Sequence, residues 1–291
     1  MSPASAMVPH TCDINRQIGS TDGQRRMRFP IPTLTALVIL ALAFADITGA
    51  SGQQTVALEM GSGWLRRDWD ECEDPSRLIQ TDRSITIQTE KSASLYWQVP
   101  TRHGPMPIDT DEDWIQECDR PPRDFASEVQ EMDQESGVLL DIQDHRYLSW
   151  KWRVSNTVDD SETVDRKGKV QLRGDDFAAK FGISMLRKGS TDLREIAYVW
   201  TRSLPKESVL VQEKRILFWK FKYHRIVAES GEENAGSWVN EVRDLYADYK
   251  RIYPDEEPGR IVRVYVMTDS DNTQGAVTGS FSDLAFHKSP P

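Results

Sequence analysis

Two short acidic segments are the residues best placed to do chemistry. Gly174-Asp175-Asp176 stands just before the apolar stretch Phe177 to Leu186, and Asp269-Ser270-Asp271-Asn272-Thr273 stands just after Ile261 to Met267. Carboxylates with an Asn carbonyl are the hard oxygen ligands that Ca²⁺ takes. Asp175, Asp269 and Asp271 are therefore candidate metal ligands, with Asp176 and Asn272 beside them as candidate ligand-binding residues. Two carboxylates are also what glycoside hydrolysis uses. The competing reading is structural, because Asp and Asn cap turns through their own backbone. If both segments meet at one end of a fold, like charges need a cation or a basic side chain between them. Lys180 is the nearest downstream base, and in a regular strand it shares a face with Asp176.

Other signatures are weaker or missing. Asp109-Thr110-Asp111-Glu112-Asp113 starts like a calcium loop. Its sixth position is Trp114 rather than Gly and its twelfth is Arg120 rather than Glu, so it reads as a solvated acidic loop. No G-x-S-x-G, H-E-x-x-H or Walker loop is present. His103, His145, His224 and His287 show no ligand spacing. Trp150 and Trp152 alternate on one strand and read as core. Trp200 and Trp238 flank polar segments, where a flat ring could serve as a platform for a sugar.

The elements that must position these residues are mostly strands. Ile85 and Ile87 alternate with polar neighbours, as do Leu148, Trp150, Trp152 and Val154. Ile196, Tyr198 and Trp200 repeat the pattern, and so do Leu217, Trp219, Phe221 and Tyr223 ahead of Ile226 and Ala228. Ile261 to Met267 and Thr278 to Phe286 read as two late strands. One helix is expected near 239–252, where Val239, Val242, Leu245, Tyr246, Tyr249 and Ile252 fall three and four apart. Glu241, Asp244 and Asp248, with Arg243, Lys250 and Arg251, would then form its solvent face. The expected fold is all-β, a single sandwich over residues 56–288. The acidic, proline-bearing stretch 101–136 reads as an inserted loop or lobe.

Arg25, Arg26 and Arg28 precede an uncharged run from Phe29 to Ala45, and Thr48-Gly49-Ala50 follows. That is the pattern of a secretory signal peptide, which places residues 1–50 outside the mature chain and the protein in the periplasm or medium. An uncleaved leader is the alternative and would be the chain's only membrane contact. Translation could start at Met1, Met7 or Met27. The mature chain keeps Cys72 and Cys118, and an oxidising compartment would favour one disulfide between them. The formal net charge of -10 disfavours nucleic acid, whose affinity comes from Lys and Arg on phosphates.

Five segments, in order, resemble the bacterial family named domain of unknown function 3047, DUF3047. They are Tyr147-Leu148-Ser149-Trp150-Lys151-Trp152-Arg153-Val154, Gly174-Asp175-Asp176 before a strand, Ile196-Ala197-Tyr198-Val199-Trp200, Trp238 through Tyr249, and Met267-Thr268-Asp269-Ser270-Asp271-Asn272-Thr273. The resemblance implies exported proteins with a jelly-roll-like sandwich similar to carbohydrate-binding modules. It supplies no activity, cofactor or catalytic residue. Lys180 stands where the family usually shows Arg, a change that weakens a bidentate pair but not a simple ion pair. The functional expectation is an exported, non-catalytic envelope protein with a glycan ligand. The alternatives are a polysaccharide hydrolase or lyase using the strand-end carboxylates, and an envelope assembly protein whose partner contacts the acidic insert.

Overall fold

A computed structural model of the protein describes residues 55–68, 76–106, 130–131, 133–134, 137–158, 162–164, 170–172, 176–216 and 219–291. The leader, Cys72, Cys118, Asp175 and the acidic run 109–113 lie outside the described residues. In chain order the strands are β1 (Thr55–Ala57), β2 (Leu65–Asp68), β3 (Arg77–Gln80), β4 (Ser84–Glu90), β5 (Ala93–Gln98), β6 (Pro100–Thr101), β7 (Gly104–Pro105) and β8 (Tyr147–Val154). They continue with β9 (Glu162–Val164), β10 (Val170–Leu172), β11 (Ala179–Arg187), β12 (Leu193–Thr201), β13 (Val209–Ile216), β14 (Trp219–Ser230) and β15 (Val239–Asp244). Helix α1 (Leu245–Ile252) follows, then β16 (Pro258–Asp269) and β17 (Ala276–His287).

Two sheets make a jelly-roll-like β-sandwich. Sheet A runs β15-β8-β17-β4-β3, with β1 also on β17; sheet B runs β13-β14-β12-β11-β16-β5-β2. Every pair is antiparallel except β12 with β14. The alternation read from sequence explains sheet A. In β8, Leu148, Trp150, Trp152 and Val154 are buried while the residues between them are half-exposed. Trp150 packs 5.1 Å from Phe181 and 5.0 Å from Tyr198, and Trp152 lies 5.7 Å from Trp200. These rings form the centre of the core between the sheets. Sheet B does not alternate, because it is buried on both faces: eight of the nine residues of β11 are buried. Its outer side carries a second apolar cluster with Leu95, Trp97, Tyr265 and Met267.

The region 239–252 corrects one expectation. Only Leu245–Ile252 is helical; Val239–Asp244 is the edge strand β15, paired with β8. Val239, Glu241 and Arg243 sit opposite Trp152, Trp150 and Leu148 and so face the sandwich interior. Val242, assigned to the helix's apolar stripe, is 53% exposed. A period of two was hidden beneath spacings of three and four. Asp244 marks the switch, its carboxylate accepting from the Ala247 amide at 2.9 Å as an N-cap. Glu241, Arg243 and Asp248 therefore do not form a solvent face.

Candidate functional site

The acidic segments do meet. Oxygens of Asp176, Asp269 and Asp271 all lie within 4.8 Å of one another. Asp269 closes β16, and the turn from Ser270 to Gly275 leads into β17. Asp176 is fully buried and holds that turn. Its Oδ1 accepts the Asn272 amide at 3.2 Å and its Oδ2 the Thr273 amide at 2.6 Å. Ser270 anchors the other side, its amide donating to the Ser92 carbonyl and its hydroxyl to Thr89 Oγ1, both at 3.0 Å. Lys180 Nζ lies 3.9 Å from Asp269 Oδ2, with both side chains buried. The basic side chain anticipated between the carboxylates is present and faces Asp269. Burial raises the Asp271 carboxyl above its usual range, as do the hydrogen bond its protonated form donates to Asp176 and the charge of Asp176; Asn272 and Asp269 hold it down.

This donor set fits Ca²⁺ poorly. Ca²⁺ takes six to eight oxygens, whereas both Asp176 oxygens already accept backbone amides and Asp269 faces an ammonium. We expect EDTA, and millimolar Ca²⁺ after it, to leave the melting temperature unchanged. A drop with EDTA that Ca²⁺ reverses would show that a metal completes the cluster, since ligand at about 100 times its dissociation constant adds about 2.7 kcal/mol.

Trp200 is not a platform. It is fully buried, with its indole N–H donating to the Gly231 carbonyl at 3.0 Å. Trp238 is 43% exposed, and the Arg153 guanidinium stacks on it at 5.0 Å. Arg153 lies on the outer face of sheet A. Two residues further, Ser155 and Asn156 begin an open pocket of about 530 Å³ whose wall also includes Arg77, Gln88, Glu90 and Thr278. Thr89 and Ser92, which hold Ser270, line the same pocket, so it adjoins the acidic turn. Sequence reading found Trp238 but not the pocket. Its polar groups come from outward strand residues such as Gln88 and Glu90 and from the turns after β4 and β8, and they carry no signal until the strands are paired.

A second carboxylate group was missed. Glu241, on the inward side of β15, has its carboxyl raised to about 7, first by burial and then by the charge of Glu229; Lys206, Trp152 and Arg243 pull it down. Glu229 is 1% exposed and pairs with Lys206 at 2.7 Å. Next to it Arg243 forks onto Asp248 through Nε and Nη2, both at 2.9 Å, and also reaches Glu207. The Tyr198 hydroxyl donates to Asp248 at 2.8 Å. Reading Glu241 as part of a helix is what concealed this group.

Comparison with known families settles the kinship. The model described as "Protein of unknown function (DUF3047)" matches residues 136–285, just over half the chain. The chain belongs to this family. All five resembling segments of this DUF3047 protein lie inside the match. No curated protein matches it. Among solved structures it is similar to an endo-1,4-beta-glucanase, CelB2, at 11% identity, TM-score 0.36, covering 80% of this chain and 94% of that one. It is also similar to the family 11 xylanase from Neocallimastix patriciarum, at 7%, 0.36, 81% and 97%. A third is the xyloglucanase domain of NopAA from Sinorhizobium fredii in complex with cellobiose, at 6%, 0.36, 83% and 98%.

Proposed function

We propose that this DUF3047 protein is an exported, non-catalytic binding protein of the cell envelope that takes a glycan on the outer face of sheet A. The observation that carries this is the 530 Å³ pocket that begins at Ser155, two residues along the chain from Arg153, whose guanidinium stacks on the exposed Trp238. Sugars present hydroxyls around a ring with flat C–H faces. The pocket offers amide, hydroxyl, guanidinium and carboxylate groups in a small area, and Trp238 offers a flat apolar surface braced by Arg153. The export half rests on the basic, apolar and small-residue order of the leader. N-terminal sequencing of the protein from the envelope fraction should begin near Ser51; recovery of the full-length chain in cytosol would contradict it.

The binding half is tested by calorimetric titration against a panel of envelope polysaccharide fragments. We expect one class to bind, and Trp238→Ala to weaken it about tenfold, equivalent to 1.4 kcal/mol, with the melting temperature unchanged. Equal affinity of the variant for every fragment would remove Trp238 and its face from the account. A second reading has one observation in its favour: a carboxyl near 7, as on Glu241, can hand over a proton at neutral pH. Release of reducing ends from the bound fragment, lost in Glu241→Gln, would make the protein a hydrolase instead.

A further inference from the structure

The outer face of sheet B carries a charge that no acidic group among the described residues is seen to answer. On this face one row of the ladder reads Arg225, Ala197, Gly182, Tyr265, and the next reads Val227, Val199, Lys180, Met267. Gly182 is glycine because the Tyr265 ring lies across it; an added Cβ would stand 2.0 Å from the ring. The Tyr265 hydroxyl thereby reaches Glu195 Oε1 at 2.9 Å. Above these two rows sits Phe177. Two cations rest on its ring, Lys180 Nζ at 5.3 Å and the Arg225 guanidinium at 5.4 Å. Both residues are only 4% exposed.

The two cations differ in what answers them. Lys180 has the Asp269 carboxylate. Arg225 has the rings of Phe177 and Tyr223, and its Nη1 has no hydrogen-bond partner among the described residues. The nearest acid in the adjoining row, Glu195, is already held by Arg263, Tyr265 and Ser184. Aromatic faces attract a guanidinium but do not replace a counter-charge, and a buried cation without one is strongly unfavourable. A guanidinium fork matches a carboxylate in shape as well as charge.

We propose that this face holds an anion site in which the Arg225 guanidinium, seated on Phe177 beside Lys180, receives a carboxylate. Two sources share that chemistry, a uronic acid residue of a glycan and a free small carboxylate. The first rests on the glycan reading above, although the site lies on the opposite sheet from Trp238.

The test is the melting temperature of the protein at constant ionic strength, titrated with acetate, with glucuronate, and with glucose as the neutral control. We expect a saturable rise with acetate and glucuronate and none with glucose. Arg225→Met should keep the fold, with its melting temperature equal or higher in the absence of carboxylate because it removes a buried charge that no described acid answers, and should lose the response. Arg225→Lys should retain a response at a midpoint about tenfold higher in concentration. No saturable rise in the unaltered protein, or an undiminished one in Arg225→Met, would overturn the site. If Arg225→Met does not fold, the midpoint of Arg225→Lys decides: an unchanged midpoint overturns it. Glucuronate acting at far lower concentration than acetate identifies an acidic sugar. Equal potency leaves the site standing and withdraws its link to glycans. Glycan binding that depends on Trp238 without any carboxylate response would leave the proposed function intact and end this inference alone.

Discussion

Asp176→Ala is expected to destabilise the protein by about 2–4 kcal/mol. Asp176 is fully buried, and its two oxygens accept the amides of Asn272 and Thr273. Hydrogen bonds to a charged group contribute about 1.5–3 kcal/mol each. Removing the carboxylate leaves two amides of the turn without acceptors, while it also relieves repulsion from Asp269 and Asp271. The second effect is smaller, because Asp269 already faces Lys180. Urea unfolding reads the loss as a lower midpoint at unchanged slope. Asp271→Ala should cost less, since Asp271 is only half-buried and its ionised form is already disfavoured. If Asp271→Ala proved the more damaging of the two, Asp176 would not be what organises the turn.

Glu241 sets the expected pH dependence. Its carboxyl titrates at about 7 in the folded protein against 4.5 in the reference state. The folded state therefore prefers the protonated acid. That preference is fully present below pH 4.5 and is lost as pH rises toward 7, where the buried carboxylate must ionise beside Glu229. This group alone should reduce stability by about 3 kcal/mol between those limits, at 1.36 kcal/mol per pH unit. Glu241→Gln keeps the shape and cannot ionise, so its stability should be higher than that of the unaltered protein at pH 8 and its pH slope shallower. Parallel pH profiles for the two would show that Glu241 titrates normally.

Much of the architecture was readable because sheet A is half-buried. Residues such as Leu148, Trp150 and Trp152 face the core and their neighbours face outward, so alternation stands out in the sequence. β15 was not readable. As an edge strand it turns Glu241 and Arg243 inward and Val242 outward, the reverse of a simple hydrophobic pattern. The acidic cluster was legible in part: strand ends gather at one end of a sandwich, which brought Asp176, Asp269 and Asp271 together, but spacing could not say that Asp176 would bind backbone amides. Trp200 and Trp238 looked alike in sequence and differ in structure. The first lies on the inward side of β12; the second precedes β15, opposite Arg153 on the outer face. Arg225 gave no signal, since one arginine in an alternating strand reads as solvent-facing, and only the two-sided burial of sheet B makes it unusual.

The central claim is that a glycan occupies the outer face of sheet A beside Trp238. The most direct measurement is a two-dimensional NMR titration of the indole N–H signals, assigned by single Trp→Phe variants, with the glycan that binds. The account predicts that the Trp238 signal moves with ligand concentration and saturates, while the buried signals of Trp150, Trp152 and Trp200 stay fixed. A binding glycan that leaves Trp238 in place, or shifts a core tryptophan instead, would contradict it.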